Sequence, residues 1–383
     1  MKPPVSTSPT QSVPPFCPNP CCSYYHSPPP FRWYSRDGYY SHKDGTRIPR
    51  FSCKSCHSRF SARTFSLDIY VKHPLPYQTI YDQIICSAGI RAIARVLHVS
   101  PKVILNRCSR LARQAIAVHA RLSSTFRLTE PLVTDGFESF VGSQYFPNNI
   151  HTLITADSQY WIETDYAHLR RKGRMTSFQR RKNQELPIIS PGGWRTVSSS
   201  FRRIIDRVEG IVASSPLAVK LLYSDEHPSY IRPIAESGLL RREKQKGRFE
   251  HRRISSRKAR TINNPLFAVN YLDRLIRKDN ANHVRETMQF SREVNNCMER
   301  MAIYRMYHNY RKPYRIKERR YRTHGEEAGI SRELIGEEMA TLFTRRRFFL
   351  KQTLGRSDLD VWRRLYVTPK REWSGKVPRY VLT

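Results

Sequence analysis

In the stretch EPLVTDGFESFVG, residues 130–142, Val133, Phe137 and Val141 fall on one side of an alternating pattern. That is the period of a strand with one face turned inward. Asp135 falls on the same side, and a carboxylate on the core side of a strand is costly unless something pairs with it. The alternation resumes in NIHTLITAD and in SQYWIETDYAHL, joined through Ala156, Asp157, Ser158 and Gln159. Three strands in a meander are expected, with Asp157 a turn residue. A basic, polar loop follows, RRKGRMTSFQRRKNQ, up to Pro191-Gly192-Gly193, and then SSSFRRIIDRVEGIVAS takes up a helical period. The run from Leu217 to Tyr223 is nearly all apolar, the mark of a strand buried on both faces, and it leads into Asp225. In NNPLFAVNYLDRLIRKDNANH the apolar residues Leu266, Val269, Leu272 and Ile276 form one stripe of a helix, with Asn264 as N-cap and Pro265 at the first position. Asp273 lies inside that stripe, between Val269 at i−4 and Arg277 at i+4, whereas Asp279 and Glu286 lie outside it.

Upstream, YQTIYDQIICSAGIRAIARVLHVSPKVILNRCSRLARQA reads as three short helices. Ile80, Ile84 and Ile85 give the first face. Gly89 breaks the pattern, and Ile90, Ile93, Ala94 and Leu97 give the second. After the tight His98-Val99 connection, Ser100 is an N-cap with Pro101 behind it, and Val103, Ile104 and Leu111 point inward. Two helices joined by a few residues, the second one basic, make a helix-turn-helix. Lys102, Asn106, Arg107 and Arg110 would then face the major groove of double-stranded DNA and its phosphates.

The chain has 383 residues, long enough for two or three domains, with 67 Lys+Arg against 32 Asp+Glu and a formal charge of +35. That excess favours a polyanion, nucleic acid first. A membrane partner is not expected, because no stretch reaches the roughly 18 consecutive apolar residues of a spanning helix. A ribosomal-type structural role is disfavoured because the acids are placed rather than scattered. The N-terminus lacks the apolar core of a signal peptide, so a reducing cytoplasm is expected, with association to the nucleoid.

Five of the eight cysteines cluster early, in FCPNPCCSYY and FSCKSC. Cys53 and Cys56 make one knuckle, and Cys17 with Cys21 or Cys22 makes the other. Cys22 is preferred, Cys21 gives the tighter spacing, and the sequence does not decide between them; His26 and His57 could substitute. Two such turns bring four thiolates to the corners of a tetrahedron, which suits structural Zn²⁺, and the short strands expected around Gly38 and Asp44-Gly45 fit a zinc ribbon. Disulfides would need an oxidising compartment. Cys86, Cys108 and Cys297 sit in helical patterns and are expected to be core thiols.

Asp135, Asp225 and Asp273 thus face inward from an early strand, a later strand and a late helix. Crowded carboxylates repel one another and lose water, and they become stable when they share divalent cations. Two Mg²⁺ or Mn²⁺ ions at such a site can activate an oxygen nucleophile and stabilise the leaving oxygen at phosphorus.

In this order of elements the chain resembles the DDE/D transposases and integrases, and its front end resembles one bacterial insertion-sequence group. The matching residues are Cys17-Pro18, Arg50-Phe51, Cys53 and Cys56, then Gly89, Ala92, Ala94-Arg95, Leu97, Val99-Ser100 and Arg107, and the likeness covers roughly residues 17–310. The resemblance implies a multidomain α/β protein whose ribonuclease H-like mixed-sheet core carries out metal-dependent strand cleavage and strand transfer. Asp135, Asp225 and a third acid would be its ligands. The usual third residue is Glu; here Asp273 occupies the place, with Glu286 as the alternative. It further implies terminal inverted repeats and target DNA as partners, with two or more copies of the chain on DNA. The rival function is that of a DNA-binding regulator with an inactive core, against which the intact acids argue. On this reading residues 1–16 are a disordered tail, 17–66 a zinc ribbon, 67–125 a helix-turn-helix domain and 126–310 the catalytic domain. Residues 311–383 form a basic extension in which aromatics interleave with Arg and Lys.

Overall fold

The computed structural model describes residues 13–42, 45–185, 195–255, 257–284, 287–315, 317–318, 322–369 and 381. The chain divides into two compact units, one of Met1–Pro76 with Thr341–Thr353 and Val377–Thr383, the other of Tyr77–Ala340 with Leu354–Lys376. The first is built on a short helix α1 (Ser23–His26) and a three-stranded antiparallel sheet of β1 (Tyr34–Ser41), β2 (Arg47–Cys53) and β3 (Arg59–Ser61). Gly38, at φ +70, sits where the β1–β2 register shifts between Arg36 and Tyr39, a conformation that glycine adopts without strain. Trp33 stacks on Phe60 with ring centres 5.9 Å apart. Thr341–Thr353, expected from composition to belong to a basic extension, packs in this unit. The Leu67 N–H donates to the Thr344 carbonyl at 2.9 Å and the Arg346 N–H to the Phe65 carbonyl at 2.8 Å. Phe348 closes on Phe16, Tyr25 and Phe65.

The second unit begins with α2 (Tyr77–Ile85), α3 (Ile90–Val96) and α4 (Pro101–Ser123). Ile80, Ile84, Ile93, Ala94 and Ile104 are buried as their periodicity requires, and Tyr77 and Tyr81 join them. His98 turns the chain in a left-handed conformation, and Ser100 takes the N-cap position of α4, without a side-chain capping bond, with Pro101 in the first turn. The mixed five-stranded sheet has the order β6-β5-β4-β7-β8, from β4 (Leu132–Phe140), β5 (Pro147–Thr155), β6 (Trp161–His168), β7 (Lys220–Ser224) and β8 (Phe249–Arg253). The first three strands form the expected antiparallel meander, while β7 and β8 add in parallel. Parallel neighbours need a crossover, and α6 (Val197–Ser214) supplies it, docking on β5 and β6. The hydroxyl of its Ser200 meets His151 Nδ1 at 2.9 Å. Between β7 and β8 come α7 (Ile231–Glu236) and α8 (Gly238–Gln245); α9 (Phe267–Asp279) then packs on β4 and β5, and α10 (Val294–Tyr310) runs along α4.

Several expectations are corrected. Leu217–Tyr223 is not a strand buried on both faces: β7 starts at Lys220 and alternates, with Lys220, Leu222 and Ser224 buried and Leu221 and Tyr223 half-buried. The helix expected from Pro265 starts at Phe267, because Asn264 Oδ1 accepts the Leu266 N–H at 2.9 Å and holds a turn ahead of it. The basic insert is not all loop, since it contains α5 (Ser177–Glu185), and residues 186–194 with the Pro-Gly-Gly turn lie outside the described residues. Cys86 is exposed, whereas Cys108 and Cys297 are core thiols. Past α11 (His324–Glu327) and α12 (Arg332–Ala340), the segment expected as a basic extension forms α13 (Arg356–Arg363), whose Trp362 is buried, as is Tyr366 after it. None of the described helices is long and apolar enough to cross a membrane.

The β5–β6 turn is held from several sides. The carboxylate of Glu130 accepts the Asp157 and Ser158 N–H groups, and the Tyr314 hydroxyl donates to the Asp157 carbonyl at 2.8 Å. His324 Nδ1–H donates to the Ser158 carbonyl and His308 Nε2–H to the Gln159 carbonyl, both at 2.9 Å, with the two rings stacked 4.0 Å apart. Burial, with Lys312 adding to it, pushes His324 down to about 4 from its usual 6.5. Burial and the His324 charge hold His308 well below that usual value. Between about pH 6.5 and about pH 4 the unfolded chain therefore binds protons that the folded one refuses. The stabilisation is complete above that window and is lost as pH falls through it. We expect the urea midpoint to drop between pH 7 and pH 5. His324→Asn keeps a donor and cannot charge, so it should make the drop shallower; an unchanged drop would rule out this pair as a source.

Candidate metal centres

Two tight turns build the thiol cluster. In the first, the Cys22 N–H donates to the Asn19 carbonyl and the Cys17 N–H to the Tyr24 carbonyl, each at 3.0 Å. In the second, the Cys53 N–H reaches the Ser58 carbonyl and the His57 N–H the Cys53 carbonyl, also at 3.0 Å each. These turns bring the sulfurs of Cys17, Cys22, Cys53 and Cys56 within 4.8 Å of one another. The Cys17–Cys56 separation is 3.6 Å and the Cys22–Cys53 separation 3.8 Å. A tetrahedron with metal–sulfur bonds of about 2.3 Å has edges of about 3.8 Å, so the spacing fits one divalent cation. A disulfide needs about 2.05 Å, and all the cysteines are free. Of the adjacent pair, Cys22 is the one in the cluster. Cys21 is exposed, its N–H given to Asn19 Oδ1 at 3.2 Å, and His26 and His57 stand outside. Burial raises the Cys17 and Cys53 thiols, so these sulfurs hold their protons until a cation displaces them.

The acids come from the second unit. The parallel register pairs Leu132 with Leu222, Val133 with Tyr223 and Thr134 with Ser224; the next step along both chains sets Asp135 beside Asp225. Asp135 Oδ1 accepts the Gly136 N–H at 2.7 Å, and Asp225 Oδ1 accepts the His227 N–H at 3.1 Å. Phe137 lies on the same face of β4 as Asp135. The Arg277 guanidinium of α9 stacks over Phe137 at 4.4 Å and donates to the Glu138 carbonyl at 2.9 Å. That contact lays α9, and Asp273 one turn before Arg277, on the Asp135 face.

The three acids feel one another. Burial and then the Asp225 charge push the Asp135 carboxyl up to about 7, against the Gly136 N–H and Arg260. Burial and then Asp135 raise Asp273 well above the usual carboxylate range, against Arg277 and Arg260. Asp273 Oδ1 is shielded from solvent and has no hydrogen-bond partner among the described residues. Among the described residues, only the four thiols lie mutually within 4.8 Å, so the three carboxylates as placed do not close on a single ion. The sequence pattern had missed Tyr230 and Arg260. Tyr230, stacked on Phe201 at 4.0 Å, has its phenol raised by burial and by Asp135, Asp225 and Asp273 together. Its position five residues after Asp225 carries no periodic signal. Glu286, the alternative third acid, lies outside the described residues.

The residues expected to read DNA divide into two settings. Lys102 and Asn106 are exposed on the first turns of α4, whereas Arg107 and Arg110 are each only 6% exposed. Both arginines donate to Asn106 Oδ1, at 2.8 and 3.2 Å. The face of α4 open to a ligand is therefore narrower than the sequence suggests.

The thiol geometry makes a prediction. Reduced protein loaded with Co²⁺ should show the absorption of a tetrahedral four-thiolate complex at one ion per chain. Cys22→Ser should abolish that signature and Cys21→Ser leave it intact; the reverse pattern would exclude the assigned ligand set. No protein-family model matches this chain, and no curated protein matches its sequence.

Proposed function

We propose that the chain is a DNA transposase of the DDE/D kind. Its four-thiol centre would hold structural Zn²⁺, and its mixed sheet would form a ribonuclease H-like catalytic core. The observation that carries the reading is the β4–β7 register, which continues past Thr134 and Ser224 to bring Asp135, within β4, beside Asp225, the residue after β7, with Asp273 on α9 raised by the Asp135 charge. The strand order 3-2-1-4-5, with only the second of these antiparallel to the rest, supports it, as does the +35 charge.

Two Mg²⁺ or Mn²⁺ ions held by Asp135, Asp225 and Asp273 would supply an activated oxygen nucleophile and charge stabilisation at phosphorus. The chain's own residues prepare that site. Asp135 is the acid whose carboxyl is raised by Asp225 and whose charge in turn raises Asp273, so it would be one of the residues holding the ions. Desolvation and mutual repulsion keep Asp135 and Asp273 in competition with protons, so the free site does not carry the full charge of its acids. Arg260 offsets the negative field. The terminal inverted repeats would be engaged by Lys102 and Asn106 on α4, and joining two ends would call for at least two copies of the chain.

Two tests follow. Asp135→Asn, Asp225→Asn and Asp273→Asn nearly conserve size while removing charge. Each should preserve folding and end binding and lower Mg²⁺-dependent cleavage of end-bearing DNA by several orders of magnitude. Parent-level cleavage by all three variants would sink the reading, whereas a dead Glu286→Gln beside an active Asp273→Asn would move only the third ligand. In the second test, Lys102→Gln should weaken end DNA and random DNA alike and reduce the slope of log K against log salt by about one, if Lys102 meets a phosphate. An unchanged slope would take Lys102 out of the interface.

A further inference from the structure

A cleft of about 420 Å³ opens on the far edge of the sheet, between α7, α8 and β8. Its floor is apolar: Ile234 of α7, Leu240 of α8 and Phe249 of β8 line it, and the half-exposed Ile231 stands at its side. Phe249, His251 and Arg253 alternate along the edge strand, so all three face the cleft. His251 Nε2 lies 2.8 Å from the hydroxyl of Ser224, the residue before Asp225.

The rim is cationic. Arg241, Lys244 and Arg253 line the cleft, and none has a carboxylate partner among the described residues. The neighbouring acids are already engaged, Glu236 with Arg232, Glu243 with Arg248 and Glu250 with Arg252. Burial, Arg253 and Lys244 hold His251 down to about 4, so it adds no charge near neutrality. An apolar floor under three cations with no carboxylate partner among the described residues calls for a ligand that is flat and apolar at one end and anionic at the other. A volume of this size lies in the range of small-molecule sites.

We infer that this cleft binds one unstacked nucleotide, its base against Ile231 and Ile234 and its phosphate between Arg241, Lys244 and Arg253. The inference rests on the nucleic-acid partner of the proposed function but not on its chemistry. Two sources share this ligand chemistry: a nucleotide turned out of a DNA strand, or a free nucleotide. The cleft edge reaches Ser224, one residue from the acids, which favours the strand.

The test compares two duplexes that carry the same phosphates, one with a single unpaired adenosine nucleotide and the other with an abasic residue in its place. Binding is measured without divalent metal. The base-bearing duplex should bind about fivefold more tightly, what removing about 40 Å² of apolar surface from water contributes. Ala235, exposed at the cleft wall, gives a variant that fills the site without removing a core residue. Ala235→Trp should erase the preference while leaving the abasic affinity unchanged. Titration with dAMP alone separates the sources. Saturable binding that Ala235→Trp abolishes, without any preference between the duplexes, would assign the cleft to free nucleotides. Neither a duplex preference nor dAMP binding, or a preference that survives Ala235→Trp, would overturn the inference. Because the assay needs no cleavage, a chain that binds the nucleotide but never cuts DNA would retain the cleft and lose the transposase reading.

Discussion

The second unit depends on the parallel pairing of β4 with β7. An antiparallel partner could have been reached by a short hairpin, as β5 is from β4. A parallel one obliges the chain to leave the sheet, cross it and return. The crossover α6 buries Phe201, Ile204, Ile205 and Val208 and thereby covers the sheet face that carries His151. That leaves the opposite face of β4 for α9, and with it Asp273. The same pairing sets the first half of β4 against the end of β7, so that Asp135 and Asp225 become neighbours. One backbone register thus converts three acids far apart in sequence into one electrostatic group.

Such a group is unfavourable by itself, and the surrounding structure keeps it from relaxing. The outer strand β6 is locked by buried ion pairs: Asp165 accepts from Arg195 and from the Tyr366 hydroxyl, both at 2.9 Å. Arg305 of α10 reaches Asp358 of α13 at 2.6 Å. Arg364 donates to the Ser109 hydroxyl at 2.7 Å, joining the end of α13 to α4. Removing one partner from a pair of this kind leaves a buried charge uncompensated, so α13 and the residues that follow it, through Tyr366, belong to the scaffold that holds the sheet. Composition presented that segment as a basic extension, because its arginines look solvent-bound until their partners on other elements are known.

What could be read from the sequence followed local rules. The meander, the β5–β6 turn at Asp157, the Ser100-Pro101 helix start and the stripe that carries Asp273 all come from short-range periodicity or capping, and each recurs in the structure. The choice between Cys21 and Cys22 could not be read, because the Asn19 turn that selects Cys22 depends on the backbone N–H bonds of that loop. The start of α9 was misplaced because two local rules compete at Asn264, a cap for Pro265 or a turn closed on Leu266, and the turn prevails. Arg107 and Arg110 lie on a basic helix whose periodicity says nothing of distant cover. The bond from the Ser109 hydroxyl to Glu299 Oε1 at 2.6 Å shows how closely α10 shields that stretch of α4. Coverage by distant elements is the information that a linear pattern lacks.

The thiol cluster and the group of acids differ in how they are prepared. The four sulfurs already stand at the edge lengths of a tetrahedron, and burial keeps Cys17 and Cys53 neutral, so the centre is compact before any cation arrives. The acids are more open: Asp135 and Asp273 are raised by burial and by charge repulsion, and one oxygen of Asp273 has no hydrogen-bond partner among the described residues. A closed set of soft donors suits a cation that stays and shapes the fold. An open set of hard oxygens, partly protonated near neutral pH, suits cations that keep exchangeable positions for water and phosphate. The difference in chemistry follows the difference in support, since the thiols sit on two tight turns of one small unit whereas the acids are drawn from two strands and a helix. On the proposed reading, one centre fixes a DNA-binding module and the other is assembled fully only when metal and DNA phosphate supply the charge and ligands it lacks.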